Sequence, residues 1–241
     1  MPSRIQQTFF RPVRPGNAFE ETVQRLLQTI RLGVVAPGEQ LPSERELALR
    51  FAVSRDTVRD AIRSLADAGY LVSRRGRYGG TFVVDDLPTG PAAIVPGGSE
   101  EPPAAEDLED TLGLRQVLEV GAVRLGAQRT LAAPDRERLW TAMQETAEAG
   151  LEDYRRLDSR LHLTIAELSG VPSLVSLMAD NRMKVNHFLD DIPLLPRNLA
   201  HSNDQHHAVV SAILAGMVDD ATAAMEEHLA GSASLLRGFL A

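Results

Sequence analysis

From about residue 107 to residue 239, apolar side chains recur three and four positions apart, and no stretch alternates in the way a half-buried strand does. The stripes run over roughly 107–130, 135–149, 151–169, 172–189, 203–215 and 218–239. Pro134, Gly150, Gly170, Pro172, the segment "DIPLLPRN" and Gly216 punctuate them. This pattern predicts an all-α bundle of about six helices. The helices share lengths but no repeated sequence, so a solenoid is not expected. An apolar content of 44% can fill a core, and the absence of cysteine excludes disulfides and thiolate metal sites. No apolar run approaches the roughly 20 residues that span a bilayer. The start "MPSRIQQTFFRPVRPG" lacks the apolar region of a secretory signal. A cytoplasmic protein without membrane partners is expected.

A second region precedes the bundle. The Pro-, Gly- and acid-rich stretch 85–105 reads as a linker and separates residues 1–84 from 106–241. Charge divides at the same place. Residues 1–84 carry 13 Arg against 8 Asp and Glu, a net of +5, and the remainder carries −13. A basic head on an acidic body suggests that the head meets a polyanion. The head reads as a helix over 17–32, a helix over 44–51, a break at Ala52-Val53, a third helix from the Ser54 cap to Ala68, and two short strands. The strands flank "RRGRYGG". Ser43 and Glu46 make a capping box at the second helix. Two short helices joined by a tight turn, followed by a hairpin, make a winged helix-turn-helix.

In such a fold the third helix enters the major groove with its first turns. Arg55 and Arg59 then grip guanine edges or phosphates, and the Ser54 and Thr57 hydroxyls suit phosphate oxygens. Arg45 is placed to touch the DNA backbone, and the wing presents Arg75, Gly76 and Arg77. The stretch Ile30–Val83 resembles the head of GntR-type bacterial regulators. It shares Gly33, Pro37-Gly38, Leu41-Pro42-Ser43, Glu44-Arg45, Val53-Ser54-Arg55, Val58-Arg59, Gly69 and Thr81-Phe82-Val83. The resemblance implies DNA contacts from Arg45, Arg55, Arg59 and the Arg75-Gly76 wing. Asp56 departs from the pattern; two roles are open to its carboxylate, accepting from a cytosine amine or capping the exposed first-turn amides, and capping is the expected one.

The bundle carries polar residues on its apolar faces. Asp158 lies near the centre of the stripe Tyr154, Leu161, Ile165, with His162 one turn on. His206 faces inward with Val209, Val210 and Ile213, whereas His207 lies about 100° round the helix. His228 falls within the arc of Met225 and Leu229. A lone inward histidine is ordinarily a hydrogen-bonded core residue. Three of them with an inward carboxylate find a common partner in one divalent ion. Imidazole favours zinc, with nickel or manganese as alternatives. Arg115 and Arg182 also lie on inward stripes. Each calls for an anion, and two readings stay open: Glu119 paired with Arg115, or a small organic-acid effector clamped by both arginines.

Residues 108–238 are similar to the all-helical FCD domain of the FadR-type branch of GntR regulators. The similarity rests on Asp158-x-x-x-His162, on His206 with Val209, Ala212, Ile213 and Gly216, and on Met225, His228 and Leu229. It implies a metal at Asp158, His162, His206 and His228, with a carboxylate effector completing its shell. Val171 departs from the family pattern. The expected function is a ligand-responsive transcriptional regulator, a repressor, binding a double-stranded DNA operator as a homodimer, because one helix-turn-helix reads only a half-site. Two alternatives are a metal-dependent hydrolase or oxygenase attached to a DNA-binding head, and a metal sensor. Against the enzyme, no general base adjoins the cluster, since Glu167 lies off the stripe.

Overall fold

Two serine caps start the short helices of the head in this computed structural model, which describes residues 12–13, 16–31, 34–76, 79–88 and 105–240. Helix α1 spans Ala18–Arg31, α2 Glu44–Phe51 and α3 Arg55–Asp67. The Ser43 hydroxyl accepts from the Glu46 amide at the start of α2, and Ser54 accepts from the Thr57 amide at the start of α3. Each satisfies a first-turn donor that has no partner within its helix. The turn between α2 and α3 closes on Ala52, which adopts a left-handed conformation with φ 56°. Gly69 does the same after α3, with φ 81°, where the missing Cβ removes the strain. Strands β1 (Leu71–Arg74) and β2 (Gly80–Val83) pair antiparallel with Leu71 opposite Val83 and Arg74 opposite Gly80. Val23, Leu26, Leu27, Leu47, Phe51, Val58, Leu65, Leu71 and Val83 are buried together in this part of the chain.

Six longer helices follow: α4 (Ala105–Ala127), α5 (Ala133–Ala147), α6 (Tyr154–Leu168), α7 (Pro172–Asp190), α8 (Pro196–Ala215) and α9 (Val218–Leu240). The mostly helical class is as expected, and the β structure among the described residues is the two-stranded sheet with an isolated antiparallel bridge from Gln40 to Phe82. α5 lies along α6, and α4 lies along both α6 and α7. Their shared core includes Leu118, Val123, Leu139, Met143, Leu161, Ile165, Met178, Val210, Ile213, Met225 and Leu229.

Two local expectations change. α8 begins at Pro196 rather than near 203, because proline at the first helical position lacks only an amide that would have no helical partner anyway. His201 is therefore helical. Leu151, the first residue of the expected 151–169 helix, sits in a turn before α6 and is exposed.

The chain divides into two compact units. The first joins the described part of Met1–Pro102 to Asp191–Arg197 and Gly231–Ala241, and the second comprises Pro103–Asp190 with Asn198–Ala230. Asp191–Arg197, which includes the first two residues of α8, and the last turns of α9 thus belong with the head. The sequence shows no break at Ala230-Gly231, since the apolar period of α9 runs straight through it.

Candidate functional site

Arg45 on α2, and Ser54, Arg55 and Arg59 at the start of α3, are exposed, with Thr57 half-buried beneath. On the hairpin, Arg75 and Gly76 are exposed; Arg77 lies outside the described residues. Gly76 has φ 113°, a conformation that excludes most side chains at the tip. Asp56 does not cap the helix, because Ser54 already holds the Thr57 amide. Its carboxylate takes Arg59 instead, at 3.0 Å, and Glu44 lies 3.5 Å from the same guanidinium. These pairs are solvent-exposed and each is worth about 0–1 kcal/mol, so a phosphate can displace them. Arg45 and Arg55 have no ion-pair partner among the described residues.

The second unit buries a charged cluster. α6 brings in Asp158 and His162, α8 His206 and α9 His228, all between 1% and 8% exposed. One ligand atom from each of the four lies within 4.8 Å of the others. His206 Nε2 stands 3.3 Å from Asp158 Oδ1 and 3.3 Å from His228 Nε2, and His162 Nε2 is 3.6 Å from Asp158 Oδ1. His207, the next residue, is exposed and meets the edge of Trp140 with ring centroids 5.6 Å apart.

Around these four sits a ring of charged partners. Glu119 on α4 accepts from Arg115 Nε at 3.0 Å, contacts His162 Nδ1, and lies 3.6 Å from Arg182 Nη1. Arg182 on α7 donates to Asp158 Oδ2 and, at 3.2 Å, to Ser159 Oγ. Gln205 Oε1 faces His228 Nδ1 at 3.3 Å, and the buried Asn181 amide donates to the Thr111 carbonyl at 3.0 Å, tying α7 to α4. Arg115 and Arg182 therefore join the same network as the histidines.

The electrostatics follow from burial and these contacts. Burial alone would raise Glu119 and Asp158. His162, Arg115 and Arg182 around Glu119, and Arg182 and His162 around Asp158, hold both carboxyls well below their ordinary range. Burial pushes His206 down, and it pushes His228 further down with help from the neighbouring His206 and His162. Both rings are neutral near pH 7, the state that donates a lone pair to a cation. For His162, burial is outweighed by Glu119 and Asp158, and its value is raised.

This donor set fits a divalent ion. Donors held 2.0–2.1 Å from one tetrahedral ion stand about 3.4 Å apart, close to the separations seen here. His162 Nε2 is buried with no hydrogen-bond partner among the described residues, and the Nε2 atoms of His206 and His228 face each other. A cation between them would satisfy all three rings at once. The contact of Glu119 with His162 Nδ1 leaves Nε2 for that cation, the carboxylate–histidine arrangement that orients metal ligands.

Two family models cover these two parts. Residues 19–83 match the gntR family of bacterial regulatory proteins, and residues 110–231 match the FCD domain. The chain belongs to the GntR family of transcriptional regulators, with an FCD domain. It is 30% identical over 223 residues to the putative L-lactate dehydrogenase operon regulatory protein of Escherichia coli, covering 90% of this chain and 85% of that protein. It is 28% identical to the HTH-type transcriptional regulator LutR of Bacillus subtilis, covering 87% and 97%. To the HTH-type transcriptional repressor NanR of Cronobacter sakazakii it is 27% identical, covering 91% and 85%. These relatives are regulators and not enzymes, which removes the hydrolase or oxygenase alternative. No helix among the described residues is long and apolar enough to cross a membrane.

Sequence reasoning missed two partners in the regulator's cluster. Glu119 was legible as an i+4 partner of Arg115, but its contact with His162 crosses between helices. Gln205 precedes His206 in the chain, and nothing in the pattern marked it as the partner of His228.

Proposed function

We propose that this regulator represses transcription as a homodimer in the bacterial cytoplasm, and that its FCD domain binds a divalent metal, zinc by the donor chemistry, and a small organic acid. Asp158, His162, His206 and His228 hold the ion, whose role is to offer a Lewis-acid position to a carboxylate oxygen. Arg45, Ser54, Arg55, Thr57, Arg59 and the wing residues Arg75, Gly76 and Arg77 contact operator DNA. Repression agrees with the word repressor in the name of the NanR relative, and a small hydroxy acid agrees with the operon named for the Escherichia coli relative.

The observation that carries the effector reading is a charge count. Arg115 and Arg182 balance Glu119 and Asp158, and all four are buried. A divalent ion on three neutral imidazoles adds two positive charges to this closed cluster. Buried uncompensated charge is costly, so the loaded site selects an anion of one or two carboxylates. Arg115 and Arg182 stand within the network that would hold it.

The test combines a mobility shift with elemental analysis. The protein purified without chelator carries close to one equivalent of metal and retards DNA from upstream of its own gene. An organic acid found by thermal shift releases that DNA, and chelation abolishes the response to the acid. Absence of any shift at low salt overturns the regulatory reading, and less than about half an equivalent of metal overturns the site.

A further inference from the structure

Helix α9 carries His228 and then enters the other compact unit without a break. The unit boundary falls between Ala230 and Gly231, and the FCD match ends at residue 231. Beyond it, Ser234, Leu235, Leu236 and Phe239 are all buried. Phe239 meets Tyr70 edge-on with ring centroids 6.0 Å apart, just before β1 of the wing.

The fit against α1 is close. A Cβ at Gly231 would stand 2.6 Å from Asn17 Oδ1, and one at Gly238 would stand 3.0 Å from the Gln24 Cα. These glycines are seven residues, or about two turns, apart and so share one face of α9. They let the backbones of α9 and α1 approach. α1 in turn lies along α3, which bears Arg55 and Arg59. A second contact starts from α8, the helix of His206: Arg197 at its N-terminus lies 3.6 Å from Asp60 of α3. That pair is exposed and weak by comparison.

We propose that α9 is the element that reports the state of the His228 site to the DNA-binding unit, with Gly238 as its positioning residue against α1. The proposal rests on the metal and effector reading above. A helix is stiff along its axis, and His228 to Gly238 is ten residues, about 15 Å. Any tilt of α9 demanded by a ligand on His228 is therefore delivered to α1 and to the recognition helix packed on it. The tail is part of the head's own core, so it cannot move alone.

The experiment uses the full chain, zinc as the probe, and DNA from upstream of its own gene. A Gly-Gly-Ser insertion after Ala230 leaves all four ligands and the tail intact but removes the stiff connection. In the wild type, the ratio of operator Kd values with and without zinc lies in the 5–150-fold range usual for coupled sites, as an order-of-magnitude expectation. In the insertion variant the zinc content stays near one equivalent while that ratio falls to within about twofold of unity. Amide exchange gives a second readout. Zinc changes protection along α1 in the wild type and not in the insertion variant. Gly238→Ala, a milder change whose methyl meets the α1 backbone, reduces the ratio while zinc content is kept, and it decides the matter if the insertion variant is unfolded. A variant set that keeps the wild-type ratio overturns transmission through α9 alone. A wild type that binds the upstream DNA with an affinity that ignores zinc overturns transmission of the zinc state through α9, whereas a wild type that does not bind that DNA at all overturns the regulatory reading itself.

Discussion

Glu119→Gln isolates the role of one buried carboxylate at almost no change in volume. Glu119 is 1% exposed and serves three cationic or imidazole groups: Arg115, His162 and Arg182. The amide keeps an acceptor oxygen but loses the charge, leaving Arg115 and Arg182 facing Asp158 alone. Removing one member of a buried ion pair costs about 3–5 kcal/mol. In a chain of this size that lowers the midpoint of thermal unfolding by on the order of 10 °C. The amide is also free to turn its NH2 toward His162 Nδ1, which disfavours the ring state that presents Nε2 as a lone pair. Loss of such an orienting partner typically weakens metal binding about 10–100-fold. The assays are thermal unfolding of the chelated protein and zinc titration against a competing chelator. Glu137→Gln, at an exposed position on α5, is the control. A Glu119→Gln protein that is destabilised yet binds zinc as tightly as the wild type refutes the orienting role. One that is unchanged in both refutes the whole reading of the charge network.

His206→Ala should remove most of the bound metal, whereas His207→Ala should leave it in place, as read by elemental analysis; equal effects contradict the inward and outward assignment. Arg55→Ala should abolish specific retardation of operator DNA while retaining weak, salt-sensitive binding; unaltered specificity argues against α3 as the reading helix. Asp56→Ala releases Arg59 from its 3.0 Å partner, so affinity for unrelated duplex DNA should rise a few-fold at low salt in a fluorescence anisotropy titration. The apo protein should lose stability on acidification. Burial holds His206 and His228 below the ordinary imidazole value, so the unfolded chain takes up their protons at higher pH than the folded one, and stability falls below about pH 6.5. His162, raised by Glu119 and Asp158 against the effect of burial, acts in the opposite sense and is outnumbered. Unfolding temperatures of chelated protein that rise between about pH 7 and 5.5 would contradict this.

Features that depend on one helix were legible in the sequence. The facing of His206 against His207 follows from a rotation of about 100° per residue, and the two serine caps follow from their position before an apolar stripe. Features that depend on two helices were not. Periodicity places Glu119 on the inner face of α4 but is silent on the register of α4 against α6, which sets its contact with His162. The fate of Asp56 was misjudged for a similar reason: two residues compete for the same first-turn amides, and Ser54 reaches them first. The start of α8 was missed because prolines read as breakers, although the first helical position tolerates one. The end of α9 holds the larger lesson. Its hydrophobic period is uniform from Val218 to Leu240, yet its two ends are buried in different units. A period reports that a face is covered and not what covers it.

The charge count links the regulator's two ligands more tightly than their proximity alone. Without an ion, Arg115 and Arg182 balance Glu119 and Asp158, and the one further positive charge available is the proton that Glu119 and Asp158 favour on His162, so an incoming carboxylate finds at most one charge to match it. With a divalent ion on neutral imidazoles two positive charges stand unmatched, and the anion is what restores the balance. Metal and acid should therefore bind with positive cooperativity, and by linkage each must raise the affinity of the other by the same factor. Replacing Arg115 by Met removes one of the two excess charges. Acid binding to the zinc form should weaken while zinc binding without acid should tighten or hold, because a repulsive neighbour of the ion is gone. Titrations of zinc with and without the acid, and of the acid with and without zinc, close this cycle. If Arg115→Met weakens zinc binding in the absence of acid, the arginine serves the ion by positioning Glu119, and the charge argument for an anionic effector fails.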